Sequence, residues 1–287
     1  MVDVTSGTPK LIEGTQPTNV TGTVKTGTYS DYIPHPAFEF DGAKAGIWVG
    51  KYEPSGSTSK ISIIPNVASL RSTSVSNMFT ASQGLKTTYS LTSDSHMMKN
   101  TEWGAVAYLT ESKYGRNGTE VSVNTSSSYY TGGGTGDAYK TNTAQSTTGN
   151  IYGIYDMSGG AYEYTMGALD DGTGVPTIGS SGFTSATLPE SKYYDLYTRG
   201  ITPLHGTSNY AANADKKGDA MYETSTAGSG STSWYGDYSS FVVSNYPWFN
   251  RGGSYVTTAS SVGLFFFNYY AGNSLSAVSF RVVCVAQ

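Results

Sequence analysis

Apolar residues recur along this chain in short, interrupted runs whose period changes several times. Ala45-Gly-Ile-Trp-Val-Gly-Lys-Tyr-Glu alternates, which predicts a strand with Ile47 and Val49 on one face and Trp48 on the other. From Thr73 to Ser82 the period lengthens: Val75, Met78 and Phe79 fall at helical spacing, with Gly84 as the expected stop. A second helix is expected from the capping residues Ser93-Asp-Ser, through Met98, Glu102, Ala105, Val106 and Leu109, to Tyr114-Gly115. Met98, Glu102, Ala105 and Leu109 share one stripe of it, so Met98 and Trp103 are expected in the core, with the indole N–H of Trp103 needing an acceptor.

Asn150 to Gly167 reads as two short aromatic strands around a Gly-rich corner. From about 168 to 244 the chain is polar and irregular, which predicts a loop-rich insertion in one domain and not a second core. Residues 1–30, rich in Thr, Gly and Pro, read as an extended arm ahead of a domain spanning 31–287. The segment from about 246 to 285 has another character. Fixed punctuation (Arg251-Gly252-Gly253, Gly263, Gly272, Phe280-Arg281-Val282-Val283) alternates there with stretches of arbitrary residue type. Between Phe249 and Ala286 it contains no Lys, Glu, Gln, Met or Trp, although all five occur upstream.

Composition narrows the classes. Charged residues are 13% and the net charge is −4, so nothing points to nucleic acid or to an anionic membrane. With 24 Tyr, 10 Phe and 4 Trp the chain is too aromatic to be disordered, and 35 Gly among many Ser and Thr predict turns and irregular loops. Tyr, Ser, Gly and Asn are also the vocabulary of adaptable binding surfaces. No apolar stretch is long enough to span a bilayer, so no membrane insertion is expected. Met1-Val-Asp-Val-Thr lacks the basic start and apolar core of a secretory signal. The expectation is either carriage inside a particle such as a phage or a leader outside this stretch.

Candidate chemistry is sparse. Cys284 is the one cysteine and lies in an apolar run, which predicts a buried structural thiol. His35, His96 and His205 are far apart, with no pair at metal-ligand spacing. Gly132-Gly-Gly-Thr-Gly is followed by no Gly-Lys-Ser/Thr and reads as a loop, and Asp170-Asp171-Gly172 reads as a turn.

Three motifs in order, Gly153-Ile-Tyr-Asp-Met-Ser-Gly-Gly-Ala-Tyr-Glu-Tyr, Arg251-Gly-Gly-Ser and Ser279-Phe-Arg-Val-Val, resemble the formylglycine-generating-enzyme branch of the C-type lectin fold. The resemblance covers roughly residues 32–287. It implies an α+β, C-type lectin-like fold: two helices and small twisted antiparallel sheets with long irregular loops. The enzymes of that branch use a pair of active-site cysteines, and this chain has one, so no oxidase activity is expected. The Asn that the branch associates with a calcium site is Gly160 here, although Glu163 is kept; no metal or cofactor is expected.

The C-terminal segment resembles the variable proteins of diversity-generating retroelements, in which a lectin-like frame carries a terminal region mutated at adenines during reverse transcription. Asn codons randomised at their first two bases cannot encode Lys, Glu, Gln, Met or Trp, the set missing here between Phe249 and Ala286. This resemblance implies a non-enzymatic display protein, a phage receptor-binding protein or bacterial adhesin on a virion tail or cell surface. Its partner would be a protein or glycan on a host or neighbouring cell, and an oligomer is compatible with it. The display candidates are Tyr246, Asn250, Ser254, Val256, Thr257, Thr258, Phe266, Tyr269, Tyr270, Ala271, Ser274, Ser276 and Val278. Val256 and Val278 have packing as an equal alternative, Tyr269-Tyr270 are expected in a turn, and Phe265 and Phe267 are expected in the frame. The rival readings are a formylglycine-generating-like oxidase and a structural tail or pilus subunit.

Overall fold

The computed structural model of the chain describes residues 2–3, 10–11, 36–38, 46–256 and 262–285. Of the expected arm, only β1 (Val2–Asp3) and β2 (Lys10–Leu11) are described, as an antiparallel pair; the rest of residues 1–30 lies outside the described residues. β3 (Ile47–Val49) is the alternating strand, with Ile47 and Val49 against the core and Trp48 71% exposed. A short hairpin follows, β4 (Ser55–Ser57) with β5 (Lys60–Ser62).

Helix α1 (Val75–Thr88) buries Val75, Met78, Phe79, Ala81, Ser82 and Leu85. It runs through Gly84 instead of stopping there. A mid-helix Gly costs about 1 kcal/mol, whereas burying the Leu85 side chain one residue later contributes roughly 2 kcal/mol, so the stripe wins. The second expected helix divides. Its first turn is instead strand β6 (Ser95–Met97), and α2 (Asn100–Glu111) begins only after Lys99. Glu102 fixes that start by accepting the Lys99 N–H at 2.9 Å, one half of a capping box. Met98 and Trp103 are fully buried, and the Trp103 indole donates to the Leu264 carbonyl at 2.9 Å. Leu109 is 49% exposed, because the buried stripe runs through Trp103, Val106, Ala107 and Thr110 and leaves it outside.

The remaining elements are α3 (Ala138–Thr141), β7 (Tyr162–Leu169), β8 (Asp195–Tyr197), α4 (Gly206–Ala212), β9 (Ser229–Ser231), β10 (Tyr238–Ser240), β11 (Trp248–Arg251), β12 (Phe267–Tyr270), β13 (Val278–Phe280) and β14 (Val282–Val285). Asn150 to Gly167 thus yields one strand, β7, and not two. The architecture is mixed α/β, with few helices and several sheets, compatible with the α+β class. The sheets are not simply small and antiparallel. Seven strands join in the order β13-β7-β11-β12-β10-β9, with β8 also on β7. In that sheet β13 and β8 run parallel to β7, and β10 runs parallel to β12. A second sheet sets β14 between β3 and β6, antiparallel to both. No helix among the described residues is long and apolar enough to cross a membrane.

The stretch 168–244 corrects another expectation. It supplies β8, β9 and β10 to the main sheet. Tyr197, Tyr210, Met221, Phe241 and Val242 from it bury against Phe249 and Phe267 as a core cluster. Its apolar residues are too widely spaced to show a period, yet long-range packing gathers them.

Candidate functional site

Two arginines fasten the C-terminal segment, and both are wholly buried. Arg281, between β13 and β14, forms a two-pronged ion pair with Glu163 of β7, with Nε to Oε2 at 3.0 Å. Its other N–H groups donate to the Gly50 carbonyl at 2.7 Å and the Tyr155 carbonyl at 3.0 Å. Three buried carboxylates converge here: Glu163, Asp156 and Glu53. Burial pushes Glu163 up to about 7 even against Arg281, and burial with the charges of Glu163 and Asp156 holds Glu53 well above the carboxylate range. Asp156 accepts the Gly132 N–H at 3.0 Å and the Asn124 amide at 2.9 Å. The Gly132 loop therefore cradles an anion of the protein itself.

Arg251 closes β11 without a carboxylate partner at bonding distance among the described residues. It donates to the carbonyls of Asp219 at 3.1 Å and Ala220 at 3.3 Å and lies over the rings of Trp103 and Phe267. Gly252 and Gly253 follow with φ of +79° and +70°, a conformation that Gly adopts without strain. At Gly263 a Cβ would stand 2.1 Å from the Asp237 carboxylate. Asp237 itself accepts the Phe265 N–H at 2.9 Å, and burial raises it to about 7.

On this frame β11 and β12 pair from Trp248–Tyr270 to Arg251–Phe267. Tyr269 and Tyr270 are the end of a strand, not a turn, so they point to opposite faces. Tyr269 stacks on exposed Tyr246, centroids 5.5 Å apart, above the cluster of Phe249 and Phe267. Tyr270 faces the other way, onto Tyr162 at 6.0 Å and Tyr164 at 6.2 Å.

That second face carries most of the exposed candidates. Val256 is 65% exposed, Ser274 and Ser276 are exposed, and Tyr270 and Ala271 are partly so. Around them stand partly exposed residues that the sequence did not single out: Arg71, Tyr129, Tyr162, Tyr238 and Tyr255. Tyr255 meets Tyr129 edge-on at 4.8 Å, and its N–H is held by the Gly160 carbonyl at 3.1 Å. The Tyr162 phenol lies against Ser254, and burial with the neighbouring Tyr270 raises it to about 12. The one signal that could have marked Tyr162 is its place before Glu163 in an alternating aromatic strand; Arg71 and Tyr129 are remote in sequence and carry none.

Four display candidates are corrected. Asn250, Ser254, Phe266 and Val278 are each at most 2% exposed. Asn250 sits on β11, a central strand between β7 and β12; its amide has no hydrogen-bond partner among the described residues. Phe266 lies beneath Tyr162 and Tyr238, at 5.7 and 6.2 Å. Val278 pairs with Tyr162 on β13 and joins the first core cluster. Ser254 is tucked under the tyrosines just after the glycine pair. Thr257 and Thr258 lie outside the described residues. Phe265 and Phe267 are fully buried.

His96 is buried with its Nε2 on Glu102 at 2.8 Å. Cys284 is half-buried in β14, its thiol raised by burial. Among the described residues no group of three or more His, Cys, Asp and Glu is placed to hold a metal ion. Two surface cavities lie elsewhere: about 520 Å³ between α1 and residues 182–193, and about 410 Å³ between β3 and α2. In comparisons with known proteins, no family model and no curated protein matches the chain.

Proposed function

We propose that this protein is a non-enzymatic display protein of C-type lectin-like fold, a variable protein of the diversity-generating-retroelement kind. It binds a cell-surface protein through the tyrosine face and works on a virion tail or a bacterial surface. The observation that carries this reading is a separation within one segment. Every fixed punctuation residue tied to the frame (Arg251, Gly252, Gly253, Gly263, Phe280, Arg281) is buried, while Val256, Tyr270, Ala271, Ser274 and Ser276 keep exposed surface. Exchange at the second group leaves the first untouched, which is what a diversified surface requires. Tyr supplies large, rigid contact area at low entropic loss, and small Ser and Ala fill between.

The display reading expects Tyr269, Tyr270, Thr257 and Phe266 to share one open patch, and that expectation fails: Tyr269 stacks on Tyr246 on the other face, Phe266 is buried, and Thr257 lies outside the described residues. The face supported here is narrower on that side, since Tyr269 turns away and Phe266 is covered. It is wider on the other, since Tyr129, Tyr162 and Tyr255 join it. The decisive experiment reads the DNA around the gene. A near-identical template repeat beside a reverse-transcriptase gene, differing from the coding copy only at adenines, is expected, with the differences concentrated in codons for exposed residues. A gene without such a repeat, or with differences spread over buried frame positions, overturns the reading.

A further inference from the structure

Arg71 occupies an unusual place on this face. The segment 70–75 is laced to the segment 272–279. Ser72 N–H donates to the Leu275 carbonyl at 3.0 Å, Val75 N–H to the Gly272 carbonyl at 3.1 Å, and the Ser279 hydroxyl to the Leu70 carbonyl at 2.9 Å. Between these ties the Arg71 guanidinium donates from Nη1 to the Ser276 carbonyl and lies over the Tyr129 ring, 3.8 Å from its centroid. Tyr129 in turn meets Tyr255. Arg71 therefore contacts Ser276 directly and, through Tyr129, the ring of Tyr255.

No carboxylate among the described residues forms an ion pair with Arg71. The ion pairs among the described residues are His96–Glu102, Lys140–Asp137, Lys192–Glu190 and Arg281–Glu163; none involves Arg71. Its Nε is enclosed without a partner among the described residues, while the residue as a whole is partly exposed. A cation held this way has already lost most of its side-chain freedom, so little more is lost when a ligand arrives.

We propose that Arg71 is a fixed anchor for an Asp or Glu side chain of the protein partner, around which the changing residues of the face adjust; this rests on the display reading above. A planar, singly charged carboxylate matches the fork of a single guanidinium. A phosphate or sulfate generally draws on several donors and cations, and among the described residues Arg71 is the one cation placed over these tyrosines. A surface of Tyr, Ser and Arg is hot-spot material for a protein partner, whereas a sugar or small ligand calls for a concave site, and neither cavity described is lined by Arg71 or these tyrosines. The frame thus contributes a constant charged contact, and the variable residues contribute shape.

The test pans a library of random peptides at low salt on wild-type protein, R71Q, R71K and the pair Y162A/Y270A. Peptides enriched on the wild type are expected to be richer in Asp and Glu than the input. They should lose affinity by about tenfold or more on R71Q, lose part of it on R71K, and weaken as salt rises. Thermal melting checks that each variant is folded; the acidic enrichment on wild type stands even where R71Q is not. Peptides without acidic enrichment, or peptides indifferent to Arg71 yet lost on Y162A/Y270A, overturn the anchor and leave the display face standing. Peptides that survive both sets of changes overturn both. A glycan array run in parallel separates the source of the carboxylate: tight binding of sialylated or uronic-acid glycans that R71Q abolishes overturns the assignment to a protein.

Discussion

Arg281 and Ser276 are near neighbours in sequence and live under opposite conditions. The Arg281 side chain is fully buried and hydrogen-bonded to Glu163, Gly50 and Tyr155, three separate parts of the chain. The Ser276 side chain is exposed, and only its backbone carbonyl is engaged, by Arg71. The same contrast repeats upstream, between buried Arg251 and exposed Val256. The frame is therefore held mainly by backbone atoms and enclosed side chains, and of the presented side chains Tyr270 alone is shown packed against the core. That division is open to attack from both ends.

The hardest blow falls on the frame. Replacing Arg281 by Met leaves Glu163, Asp156 and Glu53 enclosed with no cation among them. Breaking a buried pair in this way destabilises by about 3–5 kcal/mol. Urea denaturation of R281M should show this as a fall in midpoint with an unchanged slope. A loss of less than about 1 kcal/mol would mean that the ion pair is no better than a surface contact, and the contrast with Ser276 would collapse.

The next effect comes from pH. The interior holds more carboxylates than it can neutralise: burial raises Asp219 to about 6 and Glu163 and Asp237 to about 7. Because these values lie above those of the unfolded chain, the native state binds more protons between the two. The stability they contribute is complete below the ordinary carboxylate range and is lost as pH rises through about 6 to 7. Melting temperature is expected to be higher near pH 5 than near pH 8. Glu102, which His96 and Lys99 hold low despite burial, works in the other direction at the acid end. D237N removes one of the offending groups while its carbonyl can still accept the Phe265 N–H. Its gain over wild type should be larger at pH 8 than at pH 5 by on the order of 2 kcal/mol, and should vanish only below the ordinary carboxylate range. Equal effects at both pH values would remove proton linkage as the cause.

How far these features could be read from the sequence follows the same division. Arg251-Gly-Gly, Gly263 and Phe280-Arg281 are legible because backbone geometry and enclosed charge restrict residue type to very few. The helix stripe of Val75, Met78 and Phe79 is legible because its period is local. Alternation also assigns Phe265 and Phe267 to one face and Phe266 to the other, but Phe265 lies in a turn before β12 and packs in a different core cluster from Phe267. What alternation cannot say is whether the second face is covered. Phe266 lies under Tyr162 and Tyr238, remote residues brought there by β7 and β10, and Asn250 lies on a strand flanked on both sides. Arg71 and Tyr129 reach the face through tertiary packing alone, so no local pattern marks them. The stretch 168–244 hid three strands for a related reason: each is three residues long, too short to display a period.

The smallest effect is the one most specific to the proposal. Exposed positions of a display face should tolerate exchange, each within about 0.5 kcal/mol of wild type. Val256, Ser274 and Ser276 are the cleanest tests, because their side chains make few contacts; Val256 to Asp, Ser274 to Tyr and Ser276 to Asn span charge, size and polarity. Tyr270 is a graded case, since its ring also meets Tyr162 and Tyr164 and truncation should remove roughly 1 kcal/mol. Phe266 is the internal control. It sits within the same segment, but Phe266 to Ser strips a buried ring from beneath two tyrosines and should remove about 3 kcal/mol or more. Chemical denaturation of the set should therefore sort by burial and not by position along the segment. If Ser276 to Asn proved as damaging as Phe266 to Ser, the exposed stretch would be part of the frame, and diversity there would unfold the protein that carries it.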